Sequence, residues 1–75
     1  MATMPALMPS VDGEKLRELR EGRFFSHREL AKLAGISPTT VLNLETHPEV
    51  SAQRRTIRKL AAALEVDPSE LVRGG

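Results

Sequence analysis

Thr39 and Asn43 stand one helical turn apart in the stretch SPTTVLNLET, and every residue between them is uncharged. A hydroxyl and a side-chain amide can donate and accept hydrogen bonds without carrying charge, which suits reading another molecule's polar edges better than acid–base work. With Val41 at the centre of a buried helical face, at about 100° per residue, Leu44, Glu45 and Ser37 fall within about 60° of it. Thr39 and Asn43 then fall almost opposite, with Leu42 and Thr46 beside them. An ordinary solvent-facing stripe carries Lys and Glu; this one carries neither. Asparagine pairs with adenine edges, and threonine or leucine methyls suit the thymine methyl, all in a DNA major groove. A merely polar surface is the competing reading.

Other chemistries find little support. Ser26 and His27 are neighbours at a helix cap, not a nucleophile and its base, and neither a carboxylate dyad nor a glycine-rich phosphate loop appears. No enzyme and no catalytic residue is expected. The chain has no cysteine, and His27 and His47 alone make a poor metal site, so no metal and no cofactor is expected either.

Positive charge is concentrated in the middle of the chain. Residues 12–21 carry net −1, residues 22–60 net +4 and residues 61–75 net −2, within an overall +1. That distribution fits a one-sided anionic partner such as a phosphate backbone, with a solvated basic face as the alternative.

These residues need a scaffold to place them. Seventy-five residues make one domain near the lower size limit for folding without staples. Residues 1–10 are expected to be a flexible leader, residues 11–72 the domain and residues 73–75 a frayed end. No stretch approaches the about eighteen apolar residues of a membrane span, and a cytoplasmic location is expected. The composition is helical, with no period-2 run long enough for a strand.

Five helices are predicted. The first runs from Asp12 to about Glu21, with Ser10 or Asp12 as cap, an apolar stripe of Leu16 and Leu19, and Gly22 as its end. The second opens on the capping box Ser26…Glu29, with Phe25 and Leu30 placed for a hydrophobic staple, and closes at Gly35. Its inward face is Leu30, Ala31, Leu33 and Ala34. Ser37 caps the third, Pro38 fits its first position, and Pro48 stops it after Glu45 or Thr46. The fourth begins near Gln53 or Arg55 and ends at Leu64, burying Ile57, Leu60, Ala61 and Leu64. The fifth runs from Pro68 to about Val72 under an Asp67 cap.

The stretch LRELREGRFFSHRELAKLAGISPTTVLNLE, followed by TIRKLAAALEVDPSELV, resembles the Cro/repressor-type (XRE-like) helix-turn-helix domain. The match covers Leu16 to Leu71. The resemblance implies an all-α, compact five-helix lambda-repressor-like fold that binds double-stranded DNA as a small transcriptional regulator. The second helix would lie across the backbone and the third in the major groove. It implies that Ser37, Pro38, Thr39 and Asn43 meet base edges, that Ser26, His27 and Thr46 meet phosphates, and that Arg54 or Arg55 does so from the loop before the fourth helix. It implies an Arg20–Glu45 ion pair joining the first and third helices. Departures from the family pattern are His27 in place of glutamine, Pro38 in place of a polar reader, and Phe24 in place of a small turn residue, which either packs under the second helix, the favoured reading, or is an exposed partner contact. A homodimer is expected through the C-terminal segment, near Val66, Leu71 and Val72. The alternative function is a protein-interaction module, such as an antitoxin whose main role is binding a protein partner.

Overall fold

A computed structural model of the chain describes residues 10–47 and 51–73. Helix α1 spans Gly13–Gly22, α2 His27–Ala34, α3 Pro38–Thr46 and α4 Arg54–Leu64, and a 3₁₀ turn covers Pro68–Leu71. Each start except that of α4 has a side-chain cap. Asp12 accepts from the Lys15 N–H, Ser26 and Glu29 form a reciprocal capping box, Ser37 accepts from the Thr39 N–H, and Asp67 accepts from the Ser69 N–H. Pro38 sits in the first turn of α3.

Three helices end alike. Paired backbone bonds, Phe25 N–H to Arg20 O with Phe24 N–H to Glu21 O, close α1. The equivalent pairs are Ile36 to Ala31 with Gly35 to Lys32, and Val66 to Ala61 with Glu65 to Ala62. In each the closing residue is left-handed, Phe24 at φ 60°, Gly35 at 73° and Glu65 at 60°. The residue after it (Phe25, Ile36 or Val66) packs against the core, as this capping motif requires.

Several expectations are corrected here. Four α-helices form among the described residues, not five. Pro68–Leu71 is one 3₁₀ turn, because the chain must straighten at Val72, whose backbone bridges Val11, while the Asp12 N–H bonds Leu71 O and the Arg73 N–H bonds Ser10 O. Gly22 is the last residue of α1 but not its cap, which is Arg23, and the left-handed residue is Phe24. Phe24 is not packed under α2 but 91% exposed, since the left-handed position turns its side chain outward and gives the inward place to Phe25. Leu33, expected on the inner face of α2, is 59% exposed, lying beyond the edge of the arc set by Leu30, Ala31 and Ala34. The leader apart from Ser10, the stop at Pro48 and the last two glycines lie outside the described residues.

The core is built from Val11, Leu16, Leu30, Val41, Leu60, Leu64 and Leu71, each fully buried, with Ala31, Leu44 and Ile57 around them. Helix α2 packs against α3 and α4; α1 packs against α3 and the 3₁₀ turn. Gly13 makes one of these contacts feasible. A Cβ there would collide with the Leu44 carbonyl oxygen, so glycine lets the start of α1 approach the end of α3.

Candidate nucleic-acid interface

The side of α3 turned away from the core is uncharged. Ser37, Pro38, Thr39, Leu42, Asn43 and Thr46 are exposed, while Val41 and Leu44 are buried. Among the described residues the Thr39 and Asn43 side chains make no hydrogen bond, so their donors and acceptors are unspent. Thr46 is committed differently: its hydroxyl donates to Leu42 O at 2.9 Å. To donate elsewhere it must release its own helix.

The angle of α3 is set from behind. Glu45 keeps its side chain 2% exposed and accepts from Arg20, Nε to Oε2 at 2.7 Å and Nη2 to Oε1 at 3.0 Å. Arg20 Nη1 also donates to Phe25 O at 2.8 Å. His27 Nε2 lies 3.0 Å from Glu45 Oε1. One carboxylate on α3 therefore ties α1 and α2 together, and α3 cannot swing without breaking a paired, largely buried charge. The Glu45 hydrogen bond raises the Arg20 guanidinium above its already high ordinary value, against the opposing effect of burial. Arg20 thus stays charged.

The first turn of α2 offers two further groups. The Ser26 and Glu29 N–H groups are used by the capping box, which leaves those of His27 and Arg28 pointing out of the helix start. The Ser26 oxygen accepts in that box, while its hydrogen remains free to donate. The His27 ring is 36% exposed and meets Glu45 through one nitrogen, so the structure places it between the brace and solvent.

Helix α4 departs from ordinary helix design. It starts with Arg54 and Arg55, has no acidic residue in its first turn and has no side-chain cap. Cations at the positive end of a helix are disfavoured unless an anion joins them. The remaining charges follow the same division. Lys15 pairs with Glu70, Arg17 with Glu21, Arg23 with Glu65 and Arg73 with Asp12. Arg28, Lys32, Arg54, Arg55, Arg58 and Lys59 are exposed and have no acidic partner among the described residues. Among the described residues the cations of the two ends are neutralised within the fold, and those of α2 and α4 have no acidic partner. The central excess of charge is legible in the sequence; the close approach at Gly13 is not, since its signal is a glycine directly after a capping aspartate.

Among the described residues Ser26 and His27 make no hydrogen bond to each other: the serine oxygen accepts from the Glu29 N–H, and His27 Nε2 lies against Glu45. No cluster of metal-binding side chains occurs among the described residues, and no helix there is long and apolar enough to cross a membrane.

A family profile described as a helix-turn-helix domain matches residues 13–73. The chain belongs to that family. An uncharacterized HTH-type transcriptional regulator of Bacillus subtilis (strain 168), RghRB, is 38% identical over 60 residues, which are 80% of this chain and 43% of the relative. The chain thus spans less than half the length of that relative. The restriction-modification controller protein C.AhdI from Aeromonas hydrophila is 36% identical, with a TM-score of 0.71 over 77% of this chain and 86% of that one. The N-terminal DNA-binding domain of the biofilm regulator SinR from Bacillus subtilis shares the fold at 22% identity, with a TM-score of 0.74 over 83% and 90% of the two chains. In this helix-turn-helix domain α2 and α3 are the paired helices, and Gly35 is the hinge between them.

Proposed function

We propose that this helix-turn-helix domain binds double-stranded DNA sequence-specifically and acts as a small transcriptional regulator of phage or bacterial type, without catalysis, in the cytoplasm. The observation that carries the reading is the uncharged outer face of α3, with Thr39 and Asn43 unspent, in a fold where, among the described residues, the cations without an acidic partner all lie on α2 and α4. Helix α3 enters the major groove. Thr39 and Asn43 hydrogen-bond base edges, Ser37 adds a hydroxyl at the helix start, and Pro38 contributes only apolar contact because it has no N–H. Ser26, His27 and Thr46 meet phosphates with the open N–H groups of α2, and Arg54 or Arg55 does so at the start of α4. Similarity to C.AhdI and RghRB supports the regulatory role.

One short helix reads few base pairs, so two copies on half-sites about 10 base pairs apart would supply useful specificity. The C-terminal segment was the expected seat of that pairing. There Leu71 is fully buried, Val66 and Val72 are half-buried, and Pro68, Ser69 and Val72 line a largely apolar hollow with Ile57.

The test separates reading from holding. A base contact is worth about 1–3 kcal/mol of discrimination, and each phosphate contact contributes about 0.9 to the slope of log K against log salt. Salt titrations on a site selected from random DNA and on a scrambled duplex should show Asn43→Ala losing affinity for the selected site alone. Arg54→Ala or Arg55→Ala should weaken both duplexes and flatten the slope. Full preference for the selected site in Asn43→Ala would remove α3 as the reader.

A further inference from the structure

His27 has two neighbourhoods. Its Nε2 lies 3.0 Å from Glu45 Oε1, while the side chain stays 36% exposed at the start of α2, beside the N–H groups that the capping box leaves open. The charged groups around it are few. Glu45 faces it from α3, Arg20 from α1 holds the same carboxylate and also lies 3.7 Å from Glu21, and Arg28 and Glu29 follow it on α2. Among the described residues no charged group of α4 pairs with it. A carboxylate only accepts, so the nitrogen against Glu45 carries a hydrogen. In a neutral ring the other nitrogen, Nδ1, is then a bare lone pair, which cannot donate to an anion and repels it. Only the ring protonated on both nitrogens donates at both ends, to Glu45 through Nε2 and outward through Nδ1. The brace thereby fixes which nitrogen is left for a partner and the charge at which it can be used.

We propose that meeting a DNA phosphate at the start of α2 takes up a proton on His27, which then bridges the Glu45 carboxylate and the phosphate, so that the domain holds DNA more tightly as pH falls. The inference rests on the DNA-binding reading and adds a regulation to it. The proton comes from solvent, and Nε2 keeps its own hydrogen in both states, so the brace behind α3 is not spent. Phosphate favours the charged ring, so the complex holds a proton where the free protein has released it. Affinity therefore rises toward acid by up to about tenfold per pH unit, within the range of roughly pH 5–8 where histidine changes charge, and is level beyond it. A contact to phosphate is blind to base sequence and sensitive to salt.

Binding of a selected and a scrambled duplex, followed by fluorescence anisotropy across that pH range at several salt concentrations, decides the matter for the parent, His27→Gln and His47→Gln. The parent should tighten toward acid on both duplexes alike, and its slope of log K against log salt should steepen by about 0.9 at the acid end. His27→Gln should bind at a level independent of pH, because an amide donates without a charge. His47→Gln should keep the parent's dependence, since that ring lies against Asn43 O and the Thr46 hydroxyl, away from Glu45. In the free protein at the basic end, imidazole nitrogen resonances should place the His27 hydrogen on Nε2. A parent that binds DNA equally at every pH overturns the proposal and leaves the DNA-binding reading intact; one that binds neither duplex removes both. A hydrogen found on Nδ1 overturns it without any DNA. So does a pH effect that survives in His27→Gln or vanishes in His47→Gln. An effect confined to the selected duplex, with the salt slope unchanged, also overturns it, because His27 would then be a prop for α3 and not a phosphate contact.

Discussion

At Glu45, both carboxylate oxygens accept from Arg20 and one also meets His27, inside a side chain almost closed to water. Removing one partner of such a pair strands the other, so Glu45→Ala should cost about 3–5 kcal/mol. The double change Arg20→Met with Glu45→Leu should cost much less. Urea unfolding of the three proteins checks this, and an unshifted midpoint for Glu45→Ala would mean the brace is idle. Asp67 makes a different kind of prediction. Its carboxyl is held below the ordinary carboxylate value by the Ser69 backbone N–H first and the Ser69 hydroxyl second. Its cap is therefore fully present above the ordinary value of 3.8 and is lost as pH falls through the lower folded value. Titration followed at the Asp67 carboxyl carbon should show most of the depression surviving in Ser69→Ala, where the N–H remains. Glu45 was legible in the sequence because helical phase alone turns it inward. The third strand of the brace, Arg20 to Phe25 O, was not, since a backbone carbonyl leaves no mark in the residue pattern.

Among the elements, starts were easier to read than ends. Asp12, Ser26, Ser37 and Asp67 announce helices by side-chain chemistry, and all four act as caps. Ends depend on a backbone sign that only glycine advertises. Gly35 was found for that reason; Phe24 and Glu65, in the same left-handed state, were not. The 3₁₀ turn was read as a helix because its start signal is genuine, while the bridge from Val72 to Val11 that cuts it short joins residues sixty-one positions apart. The shared geometry predicts a series. Gly35→Ala should lose about 1 kcal/mol, and Glu65→Gly should gain about as much, less any contribution from its exposed ion pair with Arg23. Thermal melts of the two variants beside the parent give both signs. Equal melting temperatures would mean the left-handed residues are unstrained.

Across the whole molecule, charge is sorted by partner. Acidic residues at the two ends neutralise the cations there, through pairs such as Lys15–Glu70 and Arg73–Asp12, and among the described residues leave the cations of α2 and α4 without an acidic partner. The net excess of residues 22–60 was legible in the sequence; which cations remain unpaired was not, because these pairs close only in the folded chain. A ligand that binds only the folded form stabilises it by about 2.7 kcal/mol at a hundred times its dissociation constant. For a domain of this size that raises the melting temperature on the order of 10–20 °C. Calorimetry with a selected duplex should show such a rise, and added salt should erase the effect of a scrambled duplex first. No rise with any duplex would remove the DNA reading at its root.

The idle side chains of α3 have an evolutionary consequence. Among the described residues the Thr39 and Asn43 side chains bond to nothing inside the protein, so exchanging them carries little folding penalty, whereas the brace behind them does not tolerate the loss of one partner alone. With α3 as the proposed reader, recognition and architecture are thus separately mutable. Descendants of this chain could acquire new target sequences through two or three substitutions, and a designer could graft another outer face onto α3 between the same glycine hinge and the same carboxylate.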